Sequence, residues 1–130
     1  MALRSAGAAL ALSIAGCLGE APAQRRTVEM TDDLTFDPKI VSIGKGGTVS
    51  WKNVGSIEHT VTAYQDHIPD SSAYFASGGF DAEQTARQNM GMGLIAGGQT
   101  FEHTFELTGR YRYFCIPHES AGMTGTVLVE

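Results

Sequence analysis

The chain has 130 residues, 42% of them hydrophobic and 18% charged, a balance that suits one folded domain with a single core and excludes a disordered chain. The formal net charge of −5 leaves no basic footprint for nucleic acid; a mildly acidic surface favours solubility and a basic docking partner. Sixteen glycines, with runs such as "GKGG", "SGGF" and "AGGQ", interrupt the chain often and favour many short strands.

In chain order, residues 1–16 ("MALRSAGAALALSIAG") carry one early Arg4 and then an apolar run of small residues, with no acidic residue before Glu20. This reads as a secretory signal peptide, too short and too rich in Ala and Gly for a membrane span. "IAGC" (14–17) resembles the lipobox of prokaryotic lipoproteins, in which cleavage precedes the cysteine and the new N-terminal Cys17 carries a diacylglyceryl group. The alternative is an ordinary signal cut near "APA" (21–23), with Cys17 discarded and the product exported and soluble. A lipidated Cys17 is a stable anchor, because two acyl chains suffice where one is marginal. Residues 17–26 are expected to be that N-terminus and a polar linker, and residues 27–130 the folded domain.

From Thr27 the hydrophobic pattern is mostly of period two. "TVEM" and "LTF" read as an opening strand with a bend at Asp32 and Asp33. In "KIVSIG" Ile40 and Ser42 share one face and Val41 and Ile43 the other; a "GKGG" turn then leads to "TVSWKN", where Val49 and Trp51 alternate with Ser50 and Lys52. "HTVTAY" reads as a further alternating strand, and "QTFEHTFEL" sets Phe101, His103 and Phe105 on one face. "RYRYF" and "GTVLVE" complete the set. Only Asp81–Asn89 reads as helix, capped by Asp81, inside an excursion from Ser71 to Gly98. Seven or so short strands separated by turn signals predict an all-β sandwich.

The chemistry concentrates near the C-terminus. Two cysteines in an exported protein first suggest a disulfide. Here Cys17 is either lipidated or removed, so Cys115 has no partner, and an unpaired exported thiol oxidises unless something such as a metal protects it. "CIPHESAGM" places Cys115, His118 and Met123 within nine residues. A Cys and a His three apart at a strand end can bite one ion, and Met123, beside Gly122, has enough loop to return over it. Taken singly, a buried Cys or Met is more often core filling, and a lone His more often a hydrogen-bonding residue. Thiolate, imidazole and thioether together suit copper, whereas structural zinc would call for a Cys₄ or Cys₂His₂ set. A trigonal His₂Cys set with a weak axial Met is the blue-copper electron-transfer arrangement. The second imidazole must come from far away, and His59, opening a strand after "NVGSIE", is the best supplier.

"LTFDPKIVSIGKGGTVSWKN", "NVGSIEHTV" and "GRYRYFCIPHESAGMTGTVLV" occur in the order in which plastocyanin-like cupredoxins carry their motifs. The chain resembles that family, and within it the membrane-attached halocyanins of archaea, from about Thr27 to Glu130. The resemblance implies a cupredoxin-like Greek-key β-sandwich of about eight strands, with one type 1 copper at one pole. It assigns His59, Cys115 and His118 to the equatorial positions and Met123 to the axial one. It makes the Thr60 amide a donor to the Cys115 sulfur, and the His118 edge, beside Pro117, the exit for electrons. "MGMGL" (90–94) either covers part of an apolar patch there or packs its own loop. Phe114 stands where photosynthetic members carry a docking tyrosine, and Glu58 sets a charge beside the first histidine; His67 and His103 match no ligand position.

The expected role is that of an electron carrier, not an enzyme, lipid-anchored on the extracytoplasmic face of the cell membrane. It would be monomeric and serve membrane redox complexes or other carriers through transient contacts. An extracytoplasmic copper carrier is the principal alternative, and a copper reductase domain a remoter one.

Overall fold

The computed structural model describes residues 24–130; the expected signal peptide (1–16) and Cys17 lie outside the described residues. Eight strands form two four-stranded sheets: β1 (Arg25–Met30), β2 (Phe36–Asp37), β3 (Ile40–Ile43), β4 (Thr48–Asn53), β5 (Thr62–Ala63), β6 (Thr100–Thr104), β7 (Gly109–Phe114) and β8 (Thr124–Val129). The order is β2-β1-β4-β6 in one sheet and β3-β8-β7-β5 in the other. β1 runs parallel to β4, from Arg25 opposite Thr48 to Met30 opposite Asn53, and β3 runs parallel to β8; the remaining pairs are antiparallel. Sheets facing each other in this way are the expected all-β sandwich.

Alternation decides which side chains fill the space between the sheets. Val28 and Met30 of β1, Val41 and Ile43 of β3, Val49 and Trp51 of β4, Tyr111 and Tyr113 of β7, and Val127 and Val129 of β8 all point inward. Trp51 is the centre of this core. Its ring stacks near Phe75 (centroids 5.9 Å apart, planes at 22°) and meets Tyr113 edge-on at 5.3 Å. Such aromatic pairs add about 0.5–1.5 kcal/mol each beyond the area they bury.

Several local expectations differ from the structure. β1 starts at Arg25, two residues early, because Arg25 and Arg26 continue the ladder with Thr48 and Val49. "LTF" contributes only Phe36 to a strand, since Leu34 lies in a turn with φ of 61° and donates its amide to the Thr31 carbonyl. "HTVTAY" does not alternate: His59 to Ala63 are all buried and only Thr62–Ala63 is strand. The excursion covers its outer side, through hydrogen bonds from the Ser77 amide to Val61 and from the Ala63 amide to Phe75. Helix α1 spans Glu83–Gln88 and is entered from Ala82, not capped by Asp81. Gln65 caps it instead, in a reciprocal pair in which each backbone N–H meets the other's side-chain oxygen (Glu83 N to Gln65 Oε1, 3.0 Å; Gln65 N to Glu83 Oε1, 2.9 Å).

The sandwich has two distinct ends. At one, Gln24 accepts from the Thr48 amide, Lys45 donates to Glu130 and Gly46 to Phe105. At the other, β1 and β4 finish at Met30 and Asn53, and the Asn53 amide reaches the Ile95 carbonyl that also accepts from the His59 N–H. The candidate site lies at this second end.

Candidate metal centre

His59 is delivered by a turn that other residues hold from outside it. Buried Asn53 donates to the Ile57 carbonyl (2.8 Å) and the Ile95 carbonyl (2.9 Å) and accepts from the Gly55 amide (3.0 Å). The Asp32 carboxylate accepts the Ser56 and Ile57 amides at 2.9 and 3.0 Å, bonds that hold its carboxyl below the usual range. A two-way bridge then joins His59 to Ile95 (3.3 and 2.7 Å). Neither Asn53 nor Asp32 was foreseen in the sequence. The cue was the Asn-x-Gly turn, in which an Asn side chain bonds the backbone two residues on.

Cys115 directly follows β7, and the chain turns through Ile116–Ala121 to β8. The turn closes on itself, His118 N to Cys115 O (3.2 Å) and Cys115 N to Met123 O (3.0 Å). Gly122 makes the return possible, because its φ of 88° is left-handed and favours glycine. Met123 is thereby buried, as are Cys115 and His59, while His118 is half-buried and Pro117 exposed.

Three donor atoms converge. Cys115 Sγ is 3.3 Å from His118 Nδ1 and 3.8 Å from His59 Nδ1, and the two imidazole nitrogens are 3.3 Å apart. The Thr60 amide donates to Cys115 Sγ at 3.3 Å, and the Thr60 hydroxyl accepts the Ile116 amide at 2.8 Å. His67 and His103 are placed elsewhere: His67 lies edge-on to Tyr64, and His103 of β6 stacks on Phe75 at 4.7 Å. Met90 and Met92 are exposed, Met92 at 73%.

The electrostatics suit a cation. Burial pushes the Cys115 thiol up, against the Thr60 and His118 backbone amides that favour the thiolate. Burial also lowers His59, and the neighbouring His118 lowers it further. Among the described residues its buried Nε2 has no hydrogen-bond partner; the Thr31 backbone favours a proton on the ring without reaching bonding geometry. With the proton on that outer nitrogen, Nδ1 keeps its lone pair toward the sulfur. Two imidazoles and a thiol that has no disulfide partner among the described residues, all within 4.8 Å, form a set that a soft or borderline metal ion satisfies.

A two-sheet sandwich holding one N₂S pocket between the His59 turn and a short C-terminal loop has the fold and donor set of a mononuclear metal-binding protein of the cupredoxin type. Residues 23–130 match the family model for copper binding proteins of the plastocyanin/azurin family, and the chain belongs to that family. It is 34% identical over 97 residues to the plastocyanin of Scenedesmus fuscus, covering 75% of this chain and 88% of that one. It is 32% identical over 97 residues to the chloroplastic plastocyanin of Tetradesmus obliquus, covering 75% of this chain and 59% of that protein. The structure is similar to oxidized plastocyanin from Dryopteris crassirhizoma, with a TM-score of 0.57 and 23% identity over 80% of this chain and 99% of that one. Copper, as one type 1 ion, is the cofactor of this centre, and electron transport its general role.

Proposed function

We propose that the protein is a lipid-anchored carrier of single electrons on the extracytoplasmic side of a membrane, in which His59, Cys115, His118 and Met123 would hold the copper ion. Bound copper supplies the Cu(II)/Cu(I) couple. The chain's contribution is to keep the ligands nearly still, because the two oxidation states favour different geometries. His59 is fixed by the Asn53 and Asp32 bonds, Cys115 by the Thr60 amide, and both are fully buried. Fixed hydrogen-bonding partners around the ligands hold their orientation.

One observation carries the assignment of the exit route. Of the two imidazoles, His59 is completely buried while His118 is half-buried beside exposed Pro117. Solvent-side partners therefore approach the His118 edge, through a small contact that releases quickly. The partners proposed are membrane redox complexes of a respiratory chain or other carriers, met transiently by a monomer. Cleavage before Cys17 and lipidation of its thiol would hold the protein at that surface. Among the described residues no helix is long and apolar enough to cross a membrane.

The test is a visible spectrum of the copper-loaded, oxidised protein beside Cys115→Ser, together with electron self-exchange of His118→Gly with and without imidazole. An intense blue band lost in Cys115→Ser, and exchange that collapses in His118→Gly and returns with imidazole, support the reading. Undiminished exchange in His118→Gly without imidazole refutes the exit route. A copper ion that dissociates within seconds points instead to a copper carrier.

A further inference from the structure

Beside the ligand loop lies a network that nothing above requires for binding copper. Glu119, the residue after His118, receives two bonds from the Arg87 guanidinium, Nη1 to Oε1 at 2.8 Å and Nη2 to Oε2 at 3.1 Å. The Tyr64 hydroxyl donates to the same carboxylate at 2.7 Å. Arg87 also holds Glu83 one helical turn away (2.9 Å), and its guanidinium lies 4.2 Å from the centre of the Phe114 ring. Phe114, which precedes Cys115, stacks under Tyr64 with centroids 4.3 Å apart. Three separate segments thus meet on one carboxylate: helix α1 of the excursion, the chain just after β5, and the turn that carries His118.

We propose that Glu119 is a positioning residue for the copper site: Arg87 and Tyr64 clamp its carboxylate and so fix the 116–121 turn and the setting of the His118 ring. The inference rests on the electron-carrier reading and deepens it. The backbone supports this role. The turn has no side-chain cap of its own, and His118 departs from helical geometry within it (φ −124°, ψ 16°). Two of its internal bonds, His118 N to Cys115 O and Met123 N to His118 O, are 3.2 Å, at the long end of the normal range, and only the bonds at its far end, Gly122 N to Glu119 O and Cys115 N to Met123 O, are shorter, at 2.9 and 3.0 Å. A two-point Arg–carboxylate bond restricts rotation as well as distance, which a single lysine contact cannot do. The pair is also partly exposed, with side chains 37% and 32% accessible, so it adds little to the folding of the whole domain. Its influence is therefore local, and Arg87 also covers Phe114, so loss of the clamp loosens the Cys115 side of the site as well.

The experiment compares wild type with Arg87→Ala, Arg87→Lys, Glu119→Gln and the double variant Arg87→Ala/Glu119→Gln. Amide hydrogen exchange is measured in the copper-free protein, and the visible and EPR spectra after copper(II) loading. The expected result in Arg87→Ala and Glu119→Gln is a rise of about three- to fivefold in exchange at the His118 and Met123 amides, the size of change one such network supports. Strand amides in β1 and β4 stay unchanged. The ratio of the two thiolate-to-copper charge-transfer bands and the copper hyperfine splitting shift together. Arg87→Lys, which keeps the charge but not the fork, falls between, and the double variant adds nothing to the singles. Unchanged loop exchange and spectra overturn the proposal, as does exchange that rises equally in β1 and β4, which would mark a merely structural ion pair. Wild type lacking a blue band would instead overturn the electron-carrier reading, while the exchange data still decide whether the clamp exists.

Discussion

Thr60 does two jobs with two different groups, and substitution to valine separates them. Its backbone N–H donates to Cys115 Sγ, and its hydroxyl accepts the Ile116 N–H at 2.8 Å. Thr60→Val replaces the hydroxyl by a methyl of nearly equal size at a site that is 1% exposed, so no cavity opens and no backbone changes. The Ile116 amide loses its acceptor inside the ligand loop, and the Thr62 hydroxyl loses its contact at 3.3 Å. An orphaned interior donor costs about 1–3 kcal/mol. For a domain of this size each kcal/mol moves the melting temperature by roughly 3–4 °C, so the drop should be about 3–12 °C. Thermal unfolding of the copper-free protein, followed by circular dichroism, measures it, and hydrogen exchange of the Ile116 amide should quicken. The blue band should survive, because the amide bond to sulfur remains. A loss below about 0.5 kcal/mol with an unchanged Ile116 amide would refute the claim that this hydroxyl holds the loop.

Three further outcomes are expected. Burial raises the Cys115 thiol, so at neutral pH it is protonated without metal and copper must displace a proton; calorimetry in buffers of different ionisation enthalpy should register about one proton released, with affinity falling as pH falls, and release of none would contradict the buried thiol. Tyr113 carries a buried hydroxyl and Trp51 a buried indole N–H that face each other without reaching bonding geometry and find no other partner among the described residues, so Tyr113→Phe should leave stability unchanged or raise it by about 1 kcal/mol; a clear loss in chemical denaturation would mean that the two groups bond each other. The Ile57 and Ser56 amides depress the Asp32 carboxyl, so its contribution to folding is present above about pH 4 and is lost as pH falls through the lowered folded value. Asp32→Ala should flatten the stability–pH profile in that acidic window, and an unaltered profile would count against the His59 turn being held there.

The ligand loop was legible because its chemistry is local: Cys115, His118 and Met123 fall within nine residues, and their donor types alone narrow the metal. The strands β3, β4 and β8 were legible because one face of each meets the core and the other meets water, so burial alternates with the pleat. That signal vanishes at His59–Ala63, where the excursion closes over the outer face and every residue is buried. The clamp on Glu119 left no trace in the pattern either. Arg87 lies 32 residues away, and an exposed Arg and Glu on separate segments read as ordinary surface charges. The helix start misled for a related reason: Asp81 is the local cue, but the orphan amide of Glu83 is met by Gln65, brought close only by the tertiary fold.

The parallel pairing of β1 with β4 has a mechanical consequence. It feeds the chain in at Gln24 and Arg25, at the opposite extremity from His59, and β1 spends its six residues, about 20 Å, climbing toward the ligands. A leash fastened at Cys17 would therefore hold the molecule by its foot, with the redox-active crown held away from the bilayer. A docking edge at that far end would stay open to donor and acceptor in turn.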